Sequence, residues 1–166
     1  MTTLLRTTCS SPLGTLTLVS DDDGICRLDF ACRMDIDRLN PWDEEVNWRT
    51  GDPFNARAAL RDYFKGQTDA VNDIPLSLSG TEFQLDVWDA LCDIPCGETR
   101  SYGDIAAAVG RPAAVRAVGM ANNANPVGII VPCHRVIGSN GSLTGYGGGL
   151  DKKAWLLAHE GAIVEA

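Results

Sequence analysis

Residues 101–122 read SYGDIAAAVGRPAAVRAVGMAN, and they decide the architecture of the half of the chain that carries them. Ser101 followed three positions later by Asp104 fits a helix capping box, with Ile105 and Val109 next on one face. Gly110-Arg111-Pro112 interrupts that helix, and Pro112 suits the first turn of a second helix across 113–122. Two short helices joined by a tight glycine-containing turn form a helix-turn-helix pattern. On its own this pattern is as often a packing unit as a DNA reader.

Upstream, Thr81 and Gln84 form another capping box, followed by Phe83, Val87, Trp88 and Leu91 on one face. Downstream, Val127-Gly128-Ile129-Ile130-Val131 has the composition of a short buried strand, which delivers Pro132-Cys133-His134-Arg135. A glycine-rich loop follows. Asp151 is then placed to cap a last helix through Lys152, Trp155, Leu156 and His159, stopped by Gly161.

The first part of the chain has a different grammar. Leu16 and Leu18 alternate with Thr15 and Thr17, the period of a half-buried strand. Asp21-Asp22-Asp23-Gly24 supplies a turn, and Cys26, Leu28 and Phe30 then alternate with Arg27 and Asp29, which predicts a hairpin. Residues 33–54 are polar, with Pro41, Gly51 and Pro53, and read as loop with one short helix. Asn55 is placed to cap a helix through Ala56, Ala59, Leu60, Tyr63 and Phe64, ended by Gly66. Residues 66–80, with Gly66, Pro75 and Gly80, make a domain junction. The expectation is an α/β (α+β) protein of two domains. A small N-terminal β-sheet domain with a helix covers 1–78, and a mainly helical C-terminal domain with the helix-turn-helix covers 79–166.

Bulk properties narrow the function. With 166 residues, 45% hydrophobic and 22% charged, the chain is an ordinary globular sequence that needs no disulfide or metal staple. No stretch approaches the ~20 apolar residues of a membrane span, and the N-terminus lacks the order of a secretory signal. A cytoplasmic protein is expected, with no membrane association. The six cysteines then read as reduced thiols, mostly small buried hydrophobes. Cys92 and Cys96 lie four apart, but no second pair stands at ligand spacing, and no metal or cofactor is expected. The net charge of −8 opposes nucleic-acid binding at long range. Residues 1–78 carry 8 Lys+Arg against 13 Asp+Glu, a net of −5, and residues 79–166 carry 6 against 9, a net of −3. Within 100–135, however, Arg100, Arg111, Arg116 and Arg135 meet only Asp104, a local +3.

Cys133 follows an apolar run and a proline, with His134 and Arg135 directly after it. The thiolate is the nucleophile, and neighbouring His and Arg side chains favour it by lowering the thiol pKa. A Cys-His pair alone is weak, because buried structural cysteines are common.

The wider pattern is specific. Val131-Pro132-Cys133-His134-Arg135-Val136-Ile137-Gly138, with Asn125-Pro126-Val127 upstream, resembles the active-site signature of the O6-alkylguanine-DNA alkyltransferases. Ser101–Ala106, Arg116–Gly119, Leu143-Thr144-Gly145-Tyr146, Leu156–Gly161 and Ser11-Pro12-Leu13-Gly14 are similar to that family as well. The resemblance is nearly continuous over 79–163 and piecemeal over 1–78. It implies repair by stoichiometric, single-turnover transfer of an alkyl group from O6-alkylguanine in double-stranded DNA to Cys133. His134 would be the base, acting through a water, and Glu160 would orient it, with His159 as the rival. Tyr102 would protonate the departing guanine. Arg116 would fill the gap left by a flipped nucleotide in a minor-groove complex, with Ser101, Ala117 and Arg135 also toward DNA. Asn125 would tie the recognition helix to the active-site loop, and Tyr146 and Gly147, with the backbone of Cys133 and Val136, would line the guanine pocket. Some relatives hold zinc in the N-terminal domain, but the cysteines here do not match those positions. A monomer with no obligate protein partner follows. A cysteine hydrolase using Cys133, His134 and Glu160, or a DNA-binding regulator indifferent to Cys133, are the alternatives.

Overall fold

The computed structural model describes residues 2–30, 46–143, 146 and 149–162. It is a mixed α/β chain that divides into two compact units, Met1–Leu78 and Ser79–Ala166.

The first unit is built on a four-stranded sheet in the order β3-β2-β1-β4, from β1 (Thr2–Ser11), β2 (Gly14–Ser20), β3 (Ile25–Asp29) and β4 (Val46–Thr50). β1 and β2, and β2 and β3, are antiparallel, whereas β4 runs parallel to β1 with Leu4 opposite Trp48. The Asp21–Gly24 turn closes the β2–β3 hairpin because Asp21 Oδ1 accepts from the N–H groups of Asp23 (2.8 Å) and Gly24 (3.0 Å). A side chain at Gly24 would strike the backbone of Pro75 and Leu76 at 2.6–2.7 Å. Only glycine therefore lets that segment lie against Ile25, which donates to Pro75 O at 2.8 Å and accepts from Ser77 N at 2.9 Å.

Three expectations for this unit change. β2 is buried on both faces rather than one: Thr17 (1% exposed) and Ser20 (0%) are as covered as Leu16 and Leu18. Both faces of β2 are covered by packing, so its threonines mark no solvent face. Part of the loop expected over 33–54 is β4; residues 31–45, where a short helix was expected, lie outside the described residues. The helix α1 (Ala56–Phe64) is present, but Asn55 does not cap it. Asn55 has φ 56°, which turns its side chain away from the capping geometry, and Asp52 Oδ1 accepts from Arg57 N at 2.8 Å instead.

The second unit contains α2 (Glu82–Cys92), β5 (Arg100–Ser101), α3 (Tyr102–Ala108), α4 (Val115–Asn123), β6 (Val136–Ile137) and α5 (Leu150–His159). Both capping boxes form. Thr81 Oγ1 accepts from Gln84 N (3.1 Å) and Gln84 Oε1 from Thr81 N (3.0 Å). Ser101 Oγ accepts from Asp104 N (3.0 Å) and Asp104 Oδ2 from Ser101 N (2.9 Å). These bonds satisfy helix-end N–H groups that would otherwise lack partners. α3 and α4 form the helix pair, turning at Gly110 (φ 77°), and Trp88 Nε1 on α2 donates to Ala121 O at 2.9 Å to hold α4 in place. α4 starts at Val115, later than residue 113, so Pro112 belongs to the turn. α5 starts at Leu150 after Gly149, so Asp151 lies inside its first turn rather than at the cap.

The strand expected at 127–131 is absent. Ile130 N donates to Gly128 O (2.8 Å) and Val131 N to Val127 O (3.0 Å), so the segment bonds to itself in a tight coil. Its apolar composition reflects burial, since Val127, Ile129 and Val131 are at most 1% exposed.

Candidate active site

The segment that presents Cys133 is a compressed one. Ile129 is held at φ 70°, a left-handed conformation that is costly for a β-branched residue. Cys133 N then donates to Val131 O at 2.8 Å across Pro132, and Cys133–Arg135 forms a single 3-10 turn. Two asparagines fasten this coil. Asn125 Nδ2 donates to Val131 O (2.9 Å) and its Oδ1 accepts from Val127 N (3.0 Å), strapping the two ends together. Asn122 Nδ2, 2% exposed on α4, donates to Cys133 O at 3.3 Å. The far side is fixed by the parallel pairing of β5 with β6, which sets Arg100 opposite Val136 and Ser101 opposite Ile137. The start of the helix pair, with Tyr102 as its first helical residue, is thereby tied to the residues directly after Arg135.

Behind Cys133 lies a buried charged cluster. His134 is 0% exposed, and the Glu160 side chain is 0% exposed. His134 Nε2 lies 2.8 Å from Glu160 Oε2. Arg135 Nε donates to Glu160 Oε1 at 2.8 Å, and Arg135 Nη2 to Glu160 Oε2 at 3.1 Å. Arg135 Nη1 donates to Ile94 O at 2.7 Å. A carboxylate can only accept, so Nε2 carries the ring proton and Nδ1 keeps its lone pair. That Nδ1 is buried with no protein partner among the described residues. His159, the rival to Glu160, turns the other way and stacks on Trp155 at 4.8 Å between centroids.

The electrostatics follow from this packing. Burial pushes the Cys133 thiol up, while a hydrogen bond from Asn125 and the charge of Lys153 pull it down. Burial lowers the His134 pKa, with Glu160 opposing and Arg135 and Lys153 assisting, so the resting imidazole is neutral. Burial also raises the Tyr146 phenol well above its ordinary value, with Cys133 and Glu160 adding to the shift. Cys133 is thus a buried thiol followed in the chain by a neutral imidazole that a carboxylate orients, the residue types a nucleophile–base–orienter set uses.

The expected DNA-facing residues separate. Arg116 and Ala117 are exposed on α4, and Arg116 has no ion-pair partner among the described residues. Ser101 is half-buried and serves the α3 cap. Arg135 overturns its expectation: it is 4% exposed and locked onto Glu160 and Ile94, so it cannot reach a phosphate. An arginine following the nucleophile reads as basic surface in the sequence, but its partner lies 25 residues away. Val136 is 0% exposed, Tyr146 has a buried hydroxyl, and Gly147 lies outside the described residues. Two site residues were not anticipated. Asn122 is hidden in an Asn-rich helix end, and Lys153 (0% exposed) donates to Val136 O at 2.6 Å. Among the described residues, no group of three or more His, Cys, Asp or Glu is placed to hold a metal.

Comparison with known proteins gives one answer for both halves. Residues 82–162 match the family described as 6-O-methylguanine DNA methyltransferase, DNA binding domain, and residues 4–78 match its ribonuclease-like domain. A methylated-DNA–protein-cysteine methyltransferase of Shigella flexneri is 41% identical, covering 99% of this chain and 99% of the relative. The Mycobacterium tuberculosis O6-methylguanine methyltransferase crystal structure superposes with a TM-score of 0.79 at 42% identity, covering 95% of this chain and 93% of that one. A Mycobacterium tuberculosis OGT solved in complex with DNA superposes at 0.74 with 40% identity, covering 96% and 92%. With its full length accounted for and its buried Cys133-His134-Glu160 set in place, this chain belongs to the 6-O-methylguanine DNA methyltransferase family.

Proposed function

We propose that this protein repairs double-stranded DNA by moving an alkyl group from O6 of guanine to Cys133, once per molecule. The observation that carries the reading is the 2.8 Å contact between His134 and Glu160 directly behind a buried cysteine. His134 Nδ1 takes the S–H proton, directly or through a water, and Glu160 stabilises the imidazolium while it lasts. The sulfur attacks the alkyl carbon as the C–O6 bond breaks, and the electron pair leaves on guanine. Guanine departs well only as a neutral base, so Tyr102, on the helix end beside Val136, gives a proton to a ring nitrogen.

O6 lies inside the duplex, so the nucleotide must turn out, at a cost of a few kcal/mol. Arg116, exposed on α4, fills the space it leaves, with Ala117 and Ser101 against the strand; a minor-groove approach suits a scanner of lesions in any sequence. The backbone of Cys133 and Val136, with Tyr146 and Gly147, lines the guanine pocket, and Asn125 acts as the hinge between helix and loop. The protein acts as a monomer, without cofactor, in the cytoplasm where its DNA lies. No described helix is long and apolar enough to cross a membrane. The test is intact-mass measurement after incubation with duplex DNA containing O6-methylguanine. One methylene, about 14 Da, should be gained and map to Cys133. A methyl on another cysteine, or continued turnover, overturns the reading.

A further inference from the structure

Met120 is the most exposed large apolar side chain among the described residues, at 70%. Single apolar side chains on a surface are ordinary, but the position of this one is not. On α4, Val118, Ala121 and Asn122 are buried, and Ala121 O accepts from Trp88 Nε1, so that face of the helix is committed to the fold. The opposite face carries Arg116, Ala117, Met120 and Asn123, all exposed. Successive helical residues turn by about 100°, which puts Met120 about 40° from Arg116 and about 60° from both Ala117 and Asn123. Met120 is therefore the middle of the exposed arc. A surface that meets Arg116 and Ala117 together must also meet Met120.

Charge and shape indicate which surface that is. α4 holds one arginine and no carboxylate, in a chain with 22 acidic residues and a net charge of −8. Such a face suits a partner lined with phosphates, and a second copy of this acidic chain is repelled by its own charge. Ala117 adds no bulk to the arc. Methionine is unbranched and flexible, narrow enough for a minor groove about 6 Å wide. Met120 stands one turn beyond Arg116, about 6 Å along the axis, which is within about two base steps. Apolar side chains inserted at a base step from the minor groove partly unstack it.

We propose that Met120 is an apolar wedge that seats in the DNA minor groove beside Arg116, against a base step flanking the displaced nucleotide, and helps to hold the stack open. The inference deepens the function proposed above and rests on α4 being the element that meets DNA. Arg116 fills the vacated place, and Met120 widens the neighbouring step so that the nucleotide returns to the stack more slowly. Met120 touches neither the alkyl group nor Cys133 in this scheme. It acts on extrusion, as a positioning residue.

The experiment compares single-turnover methyl transfer from an O6-methylguanine duplex with reaction of free O6-benzylguanine, in the wild type, Met120→Ala, Met120→Leu and Leu85→Ala. Met120→Ala should lower the ratio of duplex rate to free-base rate by roughly three- to tenfold, a part of what full burial of a methionine contributes. Met120→Leu, apolar and of similar volume, should hold the ratio within about twofold of the wild type. Leu85→Ala, exposed on α2, should leave it unchanged. With 2-aminopurine placed beside the lesion, binding should raise the fluorescence through unstacking, and Met120→Ala should weaken that rise. An unchanged ratio and fluorescence in Met120→Ala overturn the proposal, as does a Met120→Leu variant that fails as badly as Met120→Ala. A measurement on the unaltered chain needs no variant to fold. The chain has three methionines, and peroxide oxidation of Met120, read by peptide mass, should slow severalfold when a saturating duplex is added. An unchanged oxidation rate overturns the proposal. So does protection that follows protein concentration without DNA, which would assign this face to a second copy of the chain. Protection of Met120 by DNA without any methylation of Cys133 removes the proposed function and leaves the wedge standing, a distinct result.

Discussion

Cys26 and Cys133 are buried to nearly the same degree, at 9% and 7% exposure, and only their neighbours differ. Cys26 sits on β3 in the sheet, packed with Leu4, Val19, Val46 and Trp48, its thiol donating to Val19 O at 3.4 Å. Burial pushes that thiol up to about 11, and Asp21 adds to the shift. Cys133 is also pushed up by burial, but Asn125 and Lys153 pull the other way, and a neutral histidine with a free lone pair follows it in the chain. Burial makes a thiol inert. At Cys133 a donor and a cation oppose that effect.

The largest effect should come from exchanging the two cysteines' fates. Cys133→Ala should abolish methyl uptake from an O6-methylguanine duplex, read by intact mass. Cys26→Ala should keep the transfer rate within about twofold and cost about 1 kcal/mol of stability, an ordinary core truncation. Methyl transfer to Cys26, or loss of transfer in its variant, breaks the comparison.

The ion pairs of the two regions sharpen it next. Arg27–Asp29 in the sheet (3.1 Å) is partly exposed, whereas Arg135–Glu160 (2.8 Å) is buried. Glu160→Gln strands a buried guanidinium and should cost about 3–5 kcal/mol in urea unfolding, besides slowing transfer. Asp29→Asn should cost less than about 1 kcal/mol. Comparable losses would mean that the site cluster is far more hydrated than its burial implies.

Exposed arginines give a third contrast. Arg116→Ala should slow repair of duplex DNA by roughly 10- to 100-fold, from a flip worth a few kcal/mol, while sparing free O6-benzylguanine. Arg57→Ala, exposed on α1, should leave both substrates alone. Equal loss on both substrates in Arg116→Ala points to folding rather than extrusion.

These contrasts also mark where sequence reading succeeds. The capping boxes at Thr81 and Ser101 were legible because their chemistry spans three residues. The Asp21–Gly24 hairpin was legible for the same reason. β1 and β4 were not, since a parallel pair between residues 2–6 and 46–50 leaves no local period. Pro-Cys-His-Arg points to a nucleophile and a base only through resemblance; the contact of His134 with Glu160 lies 26 residues apart and has no local signature. That Arg135 is buried, and that Lys153 points inward, depends on partners 25 and 17 residues away. Val127–Val131 has strand composition, yet only Val127 carries a bridge and the segment turns back on itself; burial and β-structure share a vocabulary.

pH should separate the regions more gently. The folded pKa of His134 lies below its unfolded value near 6.5, chiefly through burial. Between those two values the unfolded chain binds more protons than the native one, so stability rises with pH and is lost as pH falls below about 6.5. The slope is bounded by one proton, about 1.4 kcal/mol per pH unit. Urea midpoints at pH 7.5 and 5.5 should diverge in the wild type and draw together in His134→Asn. An unchanged gap would place the acid sensitivity elsewhere, among the carboxylates of the sheet.

The smallest effect expected concerns salt, and here the structure revises the charge count. Four arginines between residues 100 and 135 promise a local +3 in the sequence. Arg135 is consumed by Glu160, and Arg100 pairs with Glu98 at 3.2 Å. Arg111 lies over the Phe83 ring at 5.6 Å, and only Arg116 stands exposed without a described partner. Two phosphates, not three or four, are then the most this surface neutralises. Counterion release gives a slope near 0.9 per phosphate, so log K should fall by about two units or fewer per decade of salt. Added salt also screens the repulsion between DNA and a chain of net charge −8, flattening the curve at low ionic strength. Fluorescence anisotropy of a labelled duplex with Cys133→Ser measures this. Arg111→Ala should lower the slope by about one unit, and Arg27→Ala in the sheet unit should leave it unchanged. A slope near that of a basic repressor would require phosphate contacts from lysines and arginines outside α4 and its preceding turn, and the contrast between an acidic sheet unit and a sparse, local DNA footprint would fail.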